Sequence, residues 1–192
     1  SNLKARLAYS TVSQLSYIVL GVALLTDSGI TGSVAHLTNH AFAKITLFFC
    51  AGSFYIAAHK SEIHELAGIG RKMPYTVSAF AIGVFGMIGV PLTGGFVTKW
   101  YLAVGSMEAG MQVVVLILMI STVLNAVYFL PILYNAFFKE PVREEGDFGD
   151  YGKDEFIKEN PFIVVPLVIT AVISLLVGIF PSVILGFAKG LL

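Results

Sequence analysis

The sequence contains few charged residues. Only 12% of its 192 residues are Asp, Glu, Lys or Arg, whereas 56% are hydrophobic, and the mean hydropathy is +0.83. Soluble domains carry about 25% charged residues, so this chain lacks the charge to cover a surface that faces water. The composition argues against a soluble globular protein and favours an integral membrane protein.

The chain also lacks an excess of either charge and lacks cysteine pairs. The 12 basic residues balance the 12 acidic ones, which argues against a nucleic-acid partner held by bulk charge. The single cysteine, Cys50, lies in an apolar run and forms neither an internal disulfide nor, alone, a zinc site. With no nucleotide-binding loop and no paired acids in the apolar runs, we expect no cofactor and no catalytic centre in this chain.

Long apolar runs are abundant. A helix that crosses about 30 Å of hydrocarbon needs about 20 mostly apolar residues. Five stretches meet this requirement, at about 7–25, 33–58, 74–104, 111–138 and 161–188. The sequence therefore predicts an all-α integral membrane protein, with five transmembrane helices in a single domain that covers residues 1–192.

The basic residues predict the orientation. The N-terminus and the polar connections 59–73 and 139–160 hold most of the lysines and arginines, while the opposite side holds only Lys189. The positive-inside rule then places the N-terminus and both loops in the cytoplasm and the C-terminus outside. We expect a multi-pass protein of a prokaryotic inner membrane. The loop 139–160 is either a solvated connector or a docking surface for a neighbouring subunit.

Two lysines lie inside the apolar runs. A lysine in hydrocarbon costs about 2.5–3.5 kcal/mol on insertion scales, so Lys44 and Lys99 call for an explanation. A lysine near a helix end can extend its ammonium group to the interface, which suits Lys99 better than Lys44. Because Lys44 lies near the middle of its span, we expect it to be functional, and we extend that expectation to Lys99.

Lys44 follows two histidines at helical spacing. His36, His40 and Lys44 recur every four residues, so they lie along one helix face with about 6 Å of rise per step. Such a series can carry protons if water fills the gaps. The alternatives are structural histidines and a metal bound by the two histidines. Since no Cys, Asp or Glu is near in sequence and Lys44 repels cations, metal binding is the weaker alternative.

Lys99 follows a segment that interrupts helices. Proline removes a helical donor and glycine loosens the backbone, and this segment contains Gly89, Pro91, Gly94 and Gly95. The pattern predicts that the third helix is broken and that the break lines a cavity. A simple packing kink is the alternative. Pro131 and Pro181 lack a nearby buried charge and are interpreted as structural kinks of the fourth and fifth spans.

These motifs together resemble a known family. The motifs are residues 7–14 (LAYSTVSQ), residues 36–44 (HLTNHAFAK) followed by 47–48 and 51–52, and residues 89–96 (GVPLTGGF) followed by Lys99. They are similar to the proton-translocating antiporter-like subunits of Mrp-type cation/proton antiporters, membrane-bound hydrogenases and respiratory complex I. Residues 96–100 (FVTKW) resemble the D-type Mrp subunit most.

The resemblance implies a fold and roles for individual residues. It implies most of the second antiporter-like five-helix repeat, plus one following helix, from the C-terminal half of such a subunit. Lys44 would be the central lysine, Lys99 the broken-helix residue on the exit path, and His36 and His40 part of a hydrated axis. Lys4 matches a basic residue that the family places between its two repeats.

The resemblance also implies partners. We expect other membrane subunits, including one that supplies the absent first repeat, together with protons, Na⁺ and lipid. The parent complex would be an ion-translocating oxidoreductase or an antiporter, and its electron donor and acceptor are not encoded in this sequence. The main alternative is a scaffolding membrane subunit without a proton path, which predicts dry lysines paired with carboxylates. A membrane enzyme acting on lipid or quinone is a third alternative.

Overall fold

A computed structural model of the chain describes residues 2–140, 157 and 159–190. The regular elements in this part of the chain are helical, with one isolated bridge between Asn2 and Glu62. The helices are α1 (Leu3–Ala23), α2 (Asp27–Ala58), a 3₁₀ turn (Ile63–Leu66), α3 (Ile69–Lys72), α4 (Pro74–Ile88), α5 (Gly94–Glu108), α6 (Gln112–Phe138), α7 (Pro161–Ile179) and α8 (Ser182–Lys189).

Capping residues explain where the first two helices begin. The Asn2 side chain accepts a hydrogen bond from the Ala5 N–H at 3.2 Å, and Thr26 accepts one from the Gly29 N–H at 3.2 Å. Asp27 adds a negative charge to the first turn of α2, where the helix dipole favours it. Consequently α2 begins six residues before the apolar run at 33, and the polar segment 27–32 is helical.

The third apolar run is broken, as predicted. Helix α4 ends at Ile88 and α5 begins at Gly94. Gly89 has a φ of 86° and Leu92 a φ of 73°, so the chain leaves α4 through a left-handed conformation that glycine adopts without cost. The break places the end of one short helix against the start of another in the interior of the bundle.

Pro131 and Pro181, the two prolines interpreted as kinks, affect their helices differently. Pro131 lies inside α6, which continues through it. Pro181 is the residue before α8, and it separates α8 from α7. The fifth apolar run is therefore two helices that meet at Pro181, where the sequence predicted one kinked span.

Three helices are long and apolar enough to span a membrane, within the residues described. They are α2, α6 and α7, while α4 is apolar but shorter. Five spans remain a prediction, because α1 and the two halves of the broken helix do not meet that criterion individually. The span boundaries given by the hydropathy pattern likewise remain predictions.

The N-terminus, the connection 59–73 and the described residues just before α7 lie at one end of the bundle. The Leu3 N–H donates to the Ser61 carbonyl at 2.9 Å, and the Ile157 N–H donates to the Lys72 carbonyl at 3.1 Å. Glu159 accepts hydrogen bonds from the backbone N–H groups of Tyr75 and Thr76. The final part of the connection 139–160 thus satisfies the free donors at the start of α4, while 141–156 and 158 lie outside the described residues, and the docking-surface prediction with them.

Helix α2 is the centre of the bundle. It packs against α1, α4, α5, α7 and α8. Helix α6 is peripheral, and large apolar side chains such as Val113 and Val127 are exposed along it. An apolar exposed face of this kind contacts lipid or another hydrophobic chain. Within residues 36–44, one face of α2 is buried in the bundle, with His36, His40 and Lys44 on it, while Leu37 on the other side is exposed.

Candidate functional site

Lys44 is buried against α1. Its side chain is 6% exposed, and its ammonium nitrogen donates to the Leu7 carbonyl at 2.6 Å and to the Ser10 hydroxyl at 2.5 Å. The Leu7 carbonyl oxygen also accepts from the Ser10 hydroxyl at 2.8 Å and from the Thr11 hydroxyl at 3.2 Å, so it is shared among several donors of the site. Both partners are uncharged, so they solvate the ammonium without fixing its charge state.

Lys99 binds the end of the first half of the broken helix. Its side chain is 8% exposed, and its ammonium nitrogen lies 2.8 Å from the Ile88 carbonyl oxygen and 3.4 Å from that of Met87. The last carbonyls of a helix have no intrahelical partner and carry a partial negative charge. Lys99 therefore caps α4 from the first turns of α5.

Glycine permits the close approach that this cap requires. A Cβ atom on Gly95 would overlap the carbonyl oxygen of Gly86, and one on Gly94 would overlap the side-chain oxygen of Asn39. The start of α5 can therefore lie directly against α4 and α2 only with glycine at both positions. The predicted break residues thus have a packing role that sequence analysis did not specify.

The two histidines stack beside this break. The His36 and His40 rings are 6.3 Å apart between centroids and 16° from parallel. His36 Nδ1 lies 2.9 Å from the Thr98 hydroxyl oxygen, and that hydroxyl donates its own proton to the Gly95 carbonyl at 3.1 Å. Nδ1 must then be the donor, so neutral His36 carries its proton on Nδ1 and presents a bare lone pair at Nε2.

Three buried polar atoms on α2 lack a hydrogen-bond partner in the described part of the chain. They are His36 Nε2, His40 Nε2 and the side-chain oxygen of Asn39. Buried polar atoms are almost always hydrogen-bonded, and ordered water commonly supplies the partner. His36, His40, Lys44 and Lys99 thus form a buried axis with free acceptor positions.

A second polar group, which sequence analysis missed in part, lies between α1 and α6. Tyr17 contacts the Ser121 hydroxyl at 2.6 Å, and Asn125 donates to the Tyr17 hydroxyl at 3.1 Å. Gln14 donates to Asn125 at 3.4 Å. The buried stripe of α1 at 7, 10, 14, 17 and 21 was the available signal, since its middle positions are polar.

Lys4 is not brought to the buried axis. It is exposed at the start of α1, and its ammonium nitrogen lies 4.8 Å from the centroid of the Tyr55 ring. The structure thus unites four of the five residues predicted to transfer protons and leaves Lys4 at the end of the bundle. A role between repeats remains a prediction for it.

Neutral oxygens surround the charged groups of the axis. The hydrogen-bond acceptors of Lys44 and Lys99 are three backbone carbonyls and one hydroxyl. No cluster of three or more His, Cys, Asp or Glu able to hold a metal occurs among the described residues. Two buried ammonium groups without a carboxylate among those partners can exchange protons, whereas an ion pair would hold both partners charged.

Comparisons with known proteins give the family. The family described as NADH:quinone oxidoreductase/Mrp antiporter, TM matches residues 1–125. NADH-quinone oxidoreductase subunit N of Desulforudis audaxviator is 43% identical over 133 residues, covering 69% of this chain and 26% of that protein. Subunit N of Trichlorobacter lovleyi is 31% identical over 192 residues, covering 98% of this chain and 37% of that protein.

A solved structure shares the fold. In the Mrp complex from a Dietzia species, one chain superposes with a TM-score of 0.84 at 22% identity, covering 95% of this chain and 41% of that chain. This chain therefore spans between about a quarter and two-fifths of the length of these proteins. The finer likeness to a D-type Mrp subunit stays a prediction. The chain belongs to the NADH:quinone oxidoreductase/Mrp antiporter transmembrane family, as its motifs predicted, and has the fold of an antiporter-like multi-pass membrane subunit.

Proposed function

We propose that this chain forms the second half of a proton-translocating subunit in a multisubunit membrane complex, with protons moving along the buried axis. One observation carries the proposal. Two buried ammonium groups, held by neutral oxygens, accompany two histidines whose Nε2 atoms have no partner in the described part of the chain. Such groups can bind and release protons inside a bundle where charge is otherwise costly.

The proton reaches the histidines through water. Nε2 of His36 and Nε2 of His40 accept hydrogen bonds from water, and Lys44 receives or gives a proton at the far end of the pair. The Thr98 hydroxyl keeps the His36 tautomer fixed, so the neutral ring always offers its lone pair at Nε2. Each step moves one proton between neighbouring nitrogens. No hydrogen bond joins the two rings, whose centroids are 6.3 Å apart in the described structure, so the transfer uses a bridging water.

Lys99 transfers the proton towards the exit. Its ammonium caps the α4 carbonyls, so loss of its proton removes a positive charge from the end of the half-helix. Protonation of His36 repels the charge on Lys99 and favours proton release on the side opposite the polar loops. Repulsion between groups of like charge therefore couples proton binding at His36 to proton release at Lys99.

The rest of the cycle depends on other protein segments. We propose that a neighbouring segment or chain supplies the first repeat, and that Lys4, exposed at the end of α1, lies at the junction with it. The loops face the cytoplasm of a prokaryotic cell, and the C-terminus lies outside. A redox module or counter-transport of Na⁺ supplies the driving force, and proton movement that depends on a Na⁺ gradient distinguishes the second source.

The scaffolding alternative makes the opposite structural prediction. A scaffold without a proton path would hold both lysines in ion pairs with carboxylates and leave no acceptor free. The neutral partners of both lysines and the unpartnered histidine nitrogens favour translocation.

The test replaces the buried lysines in the assembled complex. Lys44→Met and Lys99→Met keep length and apolar volume but remove the titrating nitrogen. We expect each to abolish proton translocation in inverted membrane vesicles, measured with a pH-sensitive dye. Lys189→Met is the matched control, because Lys189 is exposed at the end of α8 and its removal leaves translocation unchanged. Normal translocation in either buried-lysine variant would contradict the proposal.

A further inference from the structure

Tyr17 lies between the two ends of the proposed exit step. Its ring centroid is 5.2 Å from the Lys99 ammonium nitrogen and 5.4 Å from the His36 ring, which meets it edge-on at 69°. A cation within about 6 Å of an aromatic ring face is attracted by the ring quadrupole. The ring therefore contacts both the group that gives the proton and the group that receives it.

The position of this ring is fixed from α6. Tyr17 is 4% exposed, and its hydroxyl group is held by Ser121 at 2.6 Å and Asn125 at 3.1 Å. Asn125 is in turn held by Gln14 at 3.4 Å. The hydroxyl group thus anchors the ring, while the ring face remains available to Lys99.

The Tyr17 ring is one of the groups that act electrostatically on the Lys99 ammonium. Helix α4 presents the Met87 and Ile88 carbonyls to the ammonium group. Tyr17 on α1 and His36 on α2 are titratable groups that face it, and Ser121 and Asn125, the α6 residues that hold Tyr17, are neutral. The carbonyls and the ring attract the ammonium group, whereas a protonated His36 would repel it.

We propose that Tyr17 is a positioning residue for proton release, because its ring face stabilises the charged form of Lys99 against repulsion from His36. This proposal rests on the proposed function of Lys99. It predicts that the electron density of the ring, and not only its volume, determines how readily Lys99 gives up its proton.

The experiment varies the ring electronically at nearly constant shape. Tyr17→Phe is the reference, and di- and trifluorinated phenylalanine at the same position weaken the quadrupole stepwise. In the assembled complex in vesicles, we expect the alkaline limb of the pH–translocation profile to move to lower pH with each added fluorine. Tyr17→Leu, which removes the ring, should move it by roughly half a unit to one and a half units.

Tyr128 supplies the matched control. The Arg6 guanidinium lies 4.6 Å from the Tyr128 ring centroid, also between α1 and α6, but outside the buried axis. The same fluorinated series at Tyr128 should leave the limb in place. If the alkaline limb does not shift with fluorination at Tyr17, in complexes that assemble and translocate normally, this inference is wrong, while the role proposed for Lys99 still stands. Normal translocation in Lys99→Met would instead refute the proposed function itself.

Discussion

The Lys99 ammonium nitrogen lies 2.8 Å from the carbonyl oxygen of Ile88, the last residue of α4. The Lys99 side chain therefore has two roles. It carries the proton that is proposed to move, and it caps α4, the helix that ends at the break. The contact links the two properties, because the positive charge that the carbonyls attract is the same one that proton release removes.

The variant Lys99→Arg distinguishes the role of Lys99 as a helix cap from its role in proton release. A guanidinium keeps the positive charge at the α4 carbonyls but does not release a proton at accessible pH. We expect the variant complex to assemble normally and to translocate protons at least about tenfold more slowly. Thermal stability and dye-based proton uptake, measured on the same vesicles, check both halves of this expectation. Translocation at the parental rate would show that Lys99 serves only as a cap.

Thr98→Val tests the tautomer of His36. The change keeps the shape of the side chain but leaves His36 Nδ1 without its acceptor, and an unsatisfied buried donor costs about 1–3 kcal/mol. That cost shifts His36 towards the other tautomer and corresponds to a translocation rate lower by about fivefold to about 160-fold. Thr98→Ser restores the hydroxyl and should recover most of the rate. Equal rates in the valine and serine variants would refute the assignment.

Gly95→Ala tests the packing of the broken helix. The added Cβ meets the Gly86 backbone oxygen, and overpacking of this kind costs about 1–3 kcal/mol. Gly52→Ala is the control, because nothing lies within 4 Å of its added Cβ and alanine stabilises a helix interior by about 0.5–1 kcal/mol relative to glycine. Thermal unfolding of the purified complex should move down for the first variant only. A lower unfolding temperature in both would indicate a general intolerance of α2 and α5.

The hydrogen bonds of the Glu65 carboxylate should make the stability of the turn at residues 61–65 depend on pH. The backbone N–H groups of Glu62 and Ser61 donate to its carboxylate and hold its pKa below the ordinary value of 4.5. A carboxyl with a lowered pKa stabilises the fold above its unfolded value, and the contribution disappears as pH falls through the folded value. Slowed exchange of the Ser61 and Glu62 amides, relative to Glu65→Gln, should therefore be present at neutral pH and be lost as the pH falls below the ordinary carboxyl value of 4.5 and through the lowered folded value. A ratio that does not change with pH would contradict this.

The sequence was sufficient for the features that carry a large energetic cost. A lysine in an apolar run, or a proline among glycines inside a span, has few explanations, so Lys44, Lys99 and the break after Ile88 could be predicted. The family followed from the same residues. The helix starts were harder to predict, because the cap at Thr26 and Asp27 is a local polar signal that a hydropathy count does not detect.

The partners of these residues could not be predicted in the same way. Tyr17 and Asn125 are 108 positions apart, and neither residue is unusual in a membrane helix, where tyrosine, serine and asparagine commonly bind neighbouring helices. Thr98 stands next to Lys99, yet its role depends on facing His36 across two helices. Contacts between distant helices are set by the tertiary fold, which the periodicity of one helix does not contain.

Ordered water along the buried axis is the central requirement of the account. A map of the assembled complex at a resolution that shows water should contain density at Nε2 of His36 and of His40, bridging the two rings, and neutral oxygens around the ammonium groups of Lys44 and Lys99. A dry axis in which both lysines are paired with carboxylates would contradict proton transfer through this chain.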